Sequence, residues 1–266
     1  MEHLPNIAGG LMTTAFAIEY LVSRFLLNDN KHETRDSFTA LLITIGYVVF
    51  SLLRGVMLTA ISLWAYDRMP WHWDSYDPVA MLTCFVLVDF FHYWSHRASH
   101  AFAFMWAFHA VHHSSRHFNM SLGFRNSWFG GFIDWVFIIP PVFLGFHPLL
   151  VAAATAVMSF WDFLCHCPYV GKLPVIDFFF NSPRNHRVHH GVSESDQHCN
   201  FGGMLFIWDR LFGTYRAEAV VPAQYGLSPA PERPYNPFYL EFFLLPGLRK
   251  LVAPRAKPPA ACERLR

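Results

Sequence analysis

Charge is what this sequence has least of. Of its 266 residues, 15% are Asp, Glu, Lys or Arg, where an ordinary soluble domain carries about 25%. With so few charges and a mean hydropathy of +0.24, the chain cannot cover a compact globule of this length with polar surface. That excludes a soluble globular domain and a disordered chain alike. The 20 basic residues balance 19 acidic ones and form no dense run, so no nucleic-acid partner is expected. Cysteine is scarce: Cys84, Cys165, Cys167, Cys199 and Cys262 make an odd number without Cys-x-x-Cys spacing, which reads as free thiols rather than a disulfide framework. The Gly-rich loop of a nucleotide fold and the Cys-x-x-Cys-His of a haem attachment site are both missing.

Apolar segments are abundant. A helix needs about 20 apolar residues to cross a bilayer, and residues 7–27, 38–66, 77–94, 128–146 and 148–165 approach or exceed that length. The fourth contains Asp134 and the Pro140–Pro141 pair, so it is expected to kink or to re-enter. The first has no basic n-region and no small-residue cleavage site, and reads as a retained span. The expected fold is therefore all-α: an integral-membrane helical bundle of about four to five spans or re-entrant segments, forming a single domain over 1–266. The tail 217–266 is read as interfacial, with 235–252 as an amphipathic helix before a proline-rich end.

Lys and Arg orient the bundle. If residues 95–127 face the cytoplasm, the inside also receives Lys31, Arg35 and all basic residues after Cys167, and the outside keeps Arg68 alone. The reverse orientation violates the positive-inside bias.

Histidine is the outlier, with 16 residues. His92 and His96 form an HxxxH, His109, His112 and His113 an HxxHH, and His186, His189 and His190 a second HxxHH. On a helix, positions i, i+3 and i+4 share a face, with Cβ atoms about 5–6 Å apart. Imidazoles that close at a low-dielectric surface each need a polar partner, and a metal shared by one set, or two adjacent metals, supplies it. All-nitrogen ligation suits Zn, Cu, Fe and Ni. Neither His-Glu-x-x-His nor Glu-x-x-His occurs, which removes the zinc-protease and carboxylate-bridged di-iron patterns. Eight imidazoles exceed one coordination sphere, so two metals are the economical reading. His3, His32, His72 and His147 stand alone and read as interfacial or hydrogen-bonding residues. His100, His117 and His198 flank clusters and read as supporting or surface residues. Asp89, three residues before His92, is suited either to orienting an imidazole or to a helix-end contact with Arg97. Phe90, Tyr93 and Trp94 read as interfacial packing residues, and Trp208-Asp209-Arg210, distant in sequence from every histidine box, as structural.

The runs Asp89-Phe90-Phe91-His92-Tyr93-Trp94-Ser95-His96-Arg97, His109-Ala110-Val111-His112-His113-Ser114 and Asn185-His186-Arg187-Val188-His189-His190-Gly191, with Asn200-Phe201-Gly202-Gly203 and Trp208-Asp209-Arg210-Leu211-Phe212-Gly213-Thr214 following, resemble the fatty acid hydroxylase/sterol desaturase superfamily of integral-membrane di-iron oxygenases. The resemblance covers about residues 77–216. It also implies a ligand at His166, in Asp162-Phe163-Leu164-Cys165-His166. Some lipid-hydroxylase branches place a further histidine four residues on, where this chain has Val170. That departure points to the alkylglycerol monooxygenase-like and bacterial sterol-desaturase-like members. The implied ligand set is His92, His96, His109, His112, His113, His166, His186, His189 and His190. The implied chemistry uses two Fe ions, O2 as co-substrate and electrons from NAD(P)H to hydroxylate or desaturate an unactivated C–H position of a sterol, fatty acyl or alkyl lipid.

No electron-carrier module is recognisable in the chain, so the electrons are expected from a separate protein, cytochrome b5 or ferredoxin with its reductase. The absence of a fused cytochrome favours a bacterial inner membrane over the endoplasmic reticulum. The rival reading is a membrane metal carrier or metal-binding protein without oxygenase activity. Carriers place their sites near the bilayer midplane, whereas these clusters fall on one side of the spans.

The orientation is testable without any metal. Engineered cysteines at Ser75 and Ser193 should label from opposite faces of the membrane, Ser193 from the cytoplasmic one. Labelling of both from one face would break the span assignment.

Overall fold

The computed structural model describes residues 1, 3–29, 31–217 and 221–245. Among these the chain is helical, with two isolated β-bridges, Phe180 to Leu205 and Gly191 to Tyr225. In order, the helices are α1 Leu4–Leu21, which continues as a π-helical stretch over Val22–Leu27, then α2 Thr34–Tyr66, α3 Pro78–Ala101, α4 Ala103–His109, α5 Gly130–Ile138, α6 Pro140–Phe143 and α7 Pro148–Leu164. Five short helices follow: α8 Pro174–Phe179, α9 Pro183–His189, α10 Glu194–Gln197, α11 Ile207–Leu211 and α12 Pro237–Phe242. Several starts share one device. Asp77, His147, Ser182 and Asn236 each cap a helix by accepting a backbone N–H, with proline at the next position, where its missing donor costs nothing.

Three helices are long and apolar enough to cross a membrane: Leu4–Leu27, Thr34–Tyr66 and Pro78–Ala101. Their outer faces remain uncovered, with Leu26 at 78% and Val56 at 76% exposed, as befits helices whose solvent is lipid. About four to five spans or re-entrant segments are expected from the sequence, and the last two apolar segments form helices shorter than a span. Gly130–Phe143 and Pro148–Leu164, at 1.5 Å per residue, reach only about 21 and 25 Å against a hydrocarbon core of about 30 Å. The break expected at Pro140–Pro141 falls between α5 and α6. Of the tail helix expected over 235–252, Pro237–Phe242 is helical; positions from 246 onward, including Cys262 and the proline-rich end, lie outside the described residues. No disulfide joins the described cysteines to one another.

The bundle core sits where α3, α6 and α7 meet, around Ala80, Cys84, Val88, Val142, Leu150, Val151, Ala154 and Met158. At one end the loop before α3 closes on the turn before α7: Trp73 donates its backbone N–H to the Gly145 carbonyl at 3.1 Å, and the Trp71 and Trp73 indoles donate to the Leu144 carbonyl. The histidine boxes occupy the other end.

There, α2 is tied to the loop after the second box. The buried Arg125 donates to Asp36 Oδ1 at 2.6 Å and to Ser114 Oγ at 2.8 Å, and Ser115 Oγ donates to Asp36 Oδ2 at 2.7 Å. Further along α2, Gly46 lets Trp128 approach so closely that a Cβ would lie 2.3 Å from the indole, whose Nε1 donates to the Ile43 carbonyl. Breaking a buried ion pair strands the other charge, at about 3–5 kcal/mol. Arg125→Ala should therefore lower stability by that order, measured by denaturant titration in detergent, and Asp36→Ala/Arg125→Ala should recover part of it. A single-variant cost under about 1 kcal/mol would show that the pair does not tie α2 down.

Candidate metal centre

Four chain segments deliver the histidines. α3 runs on to Ala101, beyond the expected end near residue 94, and carries His92, His96 and His100 at successive i+4 positions. The second box is not one helix: α4 stops at His109, and His112–Ser114 form a 3-10 turn. His166 follows α7, and the third box lies on α9, with His190 as its C-cap.

The rings gather into two adjoining groups. His96, His100, His109, His113 and His189 form one, and His112, His166, His186 and His190 the other, each with candidate ligand atoms within 4.8 Å of one another. The HxxHH boxes divide between them in complementary fashion. His109 and His113, at i and i+4, join the first group, and His112 joins the second. In the third box His189 joins the first, and His186 and His190 the second. The groups touch where His113 stacks on His190, ring centroids 4.5 Å apart.

Ring orientation is set by main-chain carbonyls. A carbonyl only accepts, so the Nδ1 of His96 donates to Phe201 O (3.0 Å), that of His189 to Cys199 O (2.8 Å) and that of His166 to Asp162 O (3.0 Å). Each such bond fixes the tautomer and leaves Nε2 as a lone pair aimed at its group. In the second group the Nε2 atoms of His112 and His166 lie 3.3 Å apart, those of His166 and His186 3.0 Å, and those of His186 and His190 3.0 Å. In the first, Nε2 of His96, His109 and His189 and both nitrogens of His100 and His113 are buried without a hydrogen-bond partner. Desolvation pushes the pKa of His109, His112, His113, His186, His189 and His190 well below the usual imidazole value, and that of His166 down to about 4. Neutral imidazole is the form that ligates a metal. Buried, neutral, convergent and otherwise unpaired nitrogens are the environment a soft or borderline cation satisfies.

Eight of the nine expected ligands lie in these groups. His92 does not: its ring is 6.0 Å from that of His96, and it packs on Gly203, where a Cβ would come within 2.7 Å. His100, assigned by sequence to the flank of a cluster, stands in the first group instead. The signal was present, since His96 and His100 repeat the HxxxH spacing one turn on. His198 lies outside, its ring 6.2 Å from His100. Among the isolated histidines, His32 bonds Glu19 Oε1 at 2.7 Å, His72 stacks on Tyr66 and His147 caps α7.

Asp89 does neither of the things expected of it. Its carboxylate accepts from Met204 N at 2.7 Å, Leu205 N and the Trp208 indole at 2.8 Å, whereas Arg97 donates to the Tyr93 hydroxyl. Tyr93, expected at an interface, is fully buried and hydrogen-bonded to Thr214. Asp209 is closer to the histidines than its sequence distance implies. Its carboxylate accepts from Phe201 N (2.8 Å), Gly202 N (2.7 Å) and Thr214 Oγ1 (2.6 Å). It thus holds the peptide whose carbonyl orients His96.

Paired all-imidazole clusters at one end of an apolar helical bundle define the class: a membrane protein built around a histidine-rich metal centre. The chain belongs to the fatty acid hydroxylase family, whose model matches residues 81–214, half of its length. It is 32% identical over 248 residues to alkylglycerol monooxygenase of Homo sapiens, covering 91% of this chain and 55% of that protein. It is 31% identical over 197 residues to ornithine lipid hydroxylase OlsE of Rhizobium tropici, covering 69% and 57%. The chain thus spans about half the length of the curated relatives it matches. No solved structure matches it.

The geometry separates two neighbouring histidines. His100→Ala should lose bound metal, whereas His92→Ala should keep most of it, read by elemental analysis of purified protein. The opposite pattern would mean that the α3 side chains rearrange when metal binds. Asp209→Asn should weaken metal affinity by about 10–100-fold with unchanged helix content by circular dichroism.

Proposed function

We propose that the chain is an O2-dependent membrane oxidoreductase that holds a di-iron centre in its nine clustered histidines and hydroxylates or desaturates an unactivated C–H position of a lipid. The observation that carries this reading is the convergence of buried, unpaired imidazole nitrogens in a chain of the fatty acid hydroxylase family. The lipid hydroxylase and monooxygenase among its relatives support the substrate class. We assign the five-histidine group to one iron and the four-histidine group to the other. Bound iron supplies activation of O2 with two electrons, drawn from NAD(P)H through a separate carrier such as cytochrome b5 or a ferredoxin with its reductase.

The protein's own part is positional. The carbonyls of Phe201, Cys199 and Asp162 hold three imidazoles in the ligating tautomer, and burial keeps the set neutral and dry. A small cleft of about 60 Å³ reaches His109 and His112 between Tyr47, Phe108, Gly130 and Ile133, where α2, α4 and α5 meet. Ser99, Arg125, Asn126, Ser127 and Asp134 also line it, so it gives the histidines a small, largely polar opening. Both histidine groups share one end of the bundle, which favours surface chemistry over passage of ions through the spans. The Lys and Arg bias turns that end to the cytoplasm.

Two measurements test the reading. Protein produced with ample iron should hold about two irons per chain, and reproducible stoichiometry of one or none would sink the paired-metal assignment. Comparative lipid mass spectrometry of membranes carrying the active protein or His112→Ala should reveal a species that differs by one added oxygen atom or two lost hydrogen atoms. Identical lipid profiles, with iron present in the active protein, would remove the oxygenase function.

A further inference from the structure

A cavity lies on the histidine end, outside the two histidine groups, and the chemistry assigned above makes no use of it. It measures about 890 Å³, within the range of small-molecule sites. Three segments that follow histidines converge on it: Arg116 and Phe118 after the second box, Val170 after His166, and Arg187 within the third box. Lys31, from the loop before α2, and the stretch 221–230 complete it. Its walls are anchored. Val192 N donates to Gln224 O at 3.0 Å, Gly191 bridges to Tyr225, and Gln197 donates to the Gly226 carbonyl at 3.0 Å.

The lining is one-sided in charge. Lys31, Arg116 and Arg187 face it, with His117 beside them, and among the described residues no Asp or Glu lines it, in a chain whose acidic and basic residues are nearly equal in number. Arg187 also anchors the wall, donating to the carbonyls of Pro168 (3.3 Å) and Val170 (3.5 Å). Lys31 and Arg116 are exposed at the rim. The neighbouring carboxylate, Asp29, is engaged by Ser23 Oγ at 2.7 Å, Lys31 N at 3.1 Å and Tyr169 OH at 3.0 Å. Like charges gathered around a concave, partly apolar space focus positive potential, and guanidinium groups match phosphate oxygens in geometry. The floor is apolar: Phe118 is buried, 6.0 Å from the His166 ring and 5.6 Å from that of His190. That ring keeps an anion in the cavity off the ligating nitrogens behind it.

We propose that this cavity binds a phosphate-type anion, carried by a phospholipid headgroup or by a soluble phosphate ester. A concave site of this volume suits a small anionic group better than the flat face of an acidic protein. Only the lipid form of the proposal rests on the lipid oxidoreductase reading; the anion site itself stands apart from the metal chemistry.

The test is calorimetric titration of the full-length protein in detergent with inorganic phosphate, dihexanoyl phosphatidic acid, dihexanoylglycerol and poly-glutamate. Saturable binding of both phosphates, weakened at high salt, competitive between them and absent for the neutral glyceride, is the expected result. Phosphatidic acid binding at least tenfold tighter than phosphate identifies a lipid source, and equal affinities identify a soluble one. Lys31→Gln/Arg116→Gln, both at exposed positions, should weaken binding at least tenfold while the metal content and unfolding midpoint stay unchanged. Val170→Glu, which sets a carboxylate in the wall, should do the same by an independent route. No saturable binding of either phosphate, binding indifferent to both variants, or binding of poly-glutamate alone would overturn the proposal.

Discussion

Desolvated imidazole is the constraint around which this molecule is arranged. A histidine in water satisfies both nitrogens without help. Nine of them packed with rings 4.4–5.4 Å apart in pairs such as His166–His186 and His109–His112 must be neutral, and each nitrogen must be given something to bond. The protein answers on one side only. Backbone carbonyls take the Nδ1 protons of His96, His166 and His189, and the inward nitrogens are left to a cation. The bundle is otherwise loosely clothed, with α1 and α2 presenting apolar side chains outward, so order is concentrated at the end where unmet hydrogen bonds would be most costly.

That order is maintained by carboxylates that never touch a histidine. Asp89 gathers Met204, Leu205 and Trp208, and Asp209 gathers Phe201, Gly202 and Thr214. Together they clamp the stretch between the third box and α11 against α3. Asp36 performs the matching task for the second box through Arg125 and Ser115. Asp89 and Asp36 join parts of the chain distant in sequence, Asp209 closes a local loop, and all three are buried, so their hydrogen bonds are strong and their loss is expensive.

Much of this was legible in the residues, because the relevant signals are local. Hydropathy located the three long helices, and the proline pair marked the break between α5 and α6. HxxHH spacing singled out histidines that the structure brings together, although the second box is split between α4 and a 3-10 turn. What escaped was non-local. Whether His92 or His100 faces the other boxes depends on how far α3 extends and how it is rotated against Gly203, and neither is encoded in the spacing. The bonds of Asp89 join residues that the sequence gives no reason to pair, and those of Asp209, though local, depend on a loop path that no spacing specifies. Segment length was harder to read: the hydrophobic runs allowed four to five spans or re-entrant segments, and helix starts at Gly130 and Pro148 leave two helices shorter than the hydrocarbon core.

The crossed division of the two HxxHH boxes has a mechanical consequence. α3 serves only the five-histidine group and His166 only the four-histidine group, but α9 and the turn after α4 each contribute to both, so sliding or rotating either one displaces donors in both groups at once. The pair therefore behaves as one elastic unit rather than as two independent pockets.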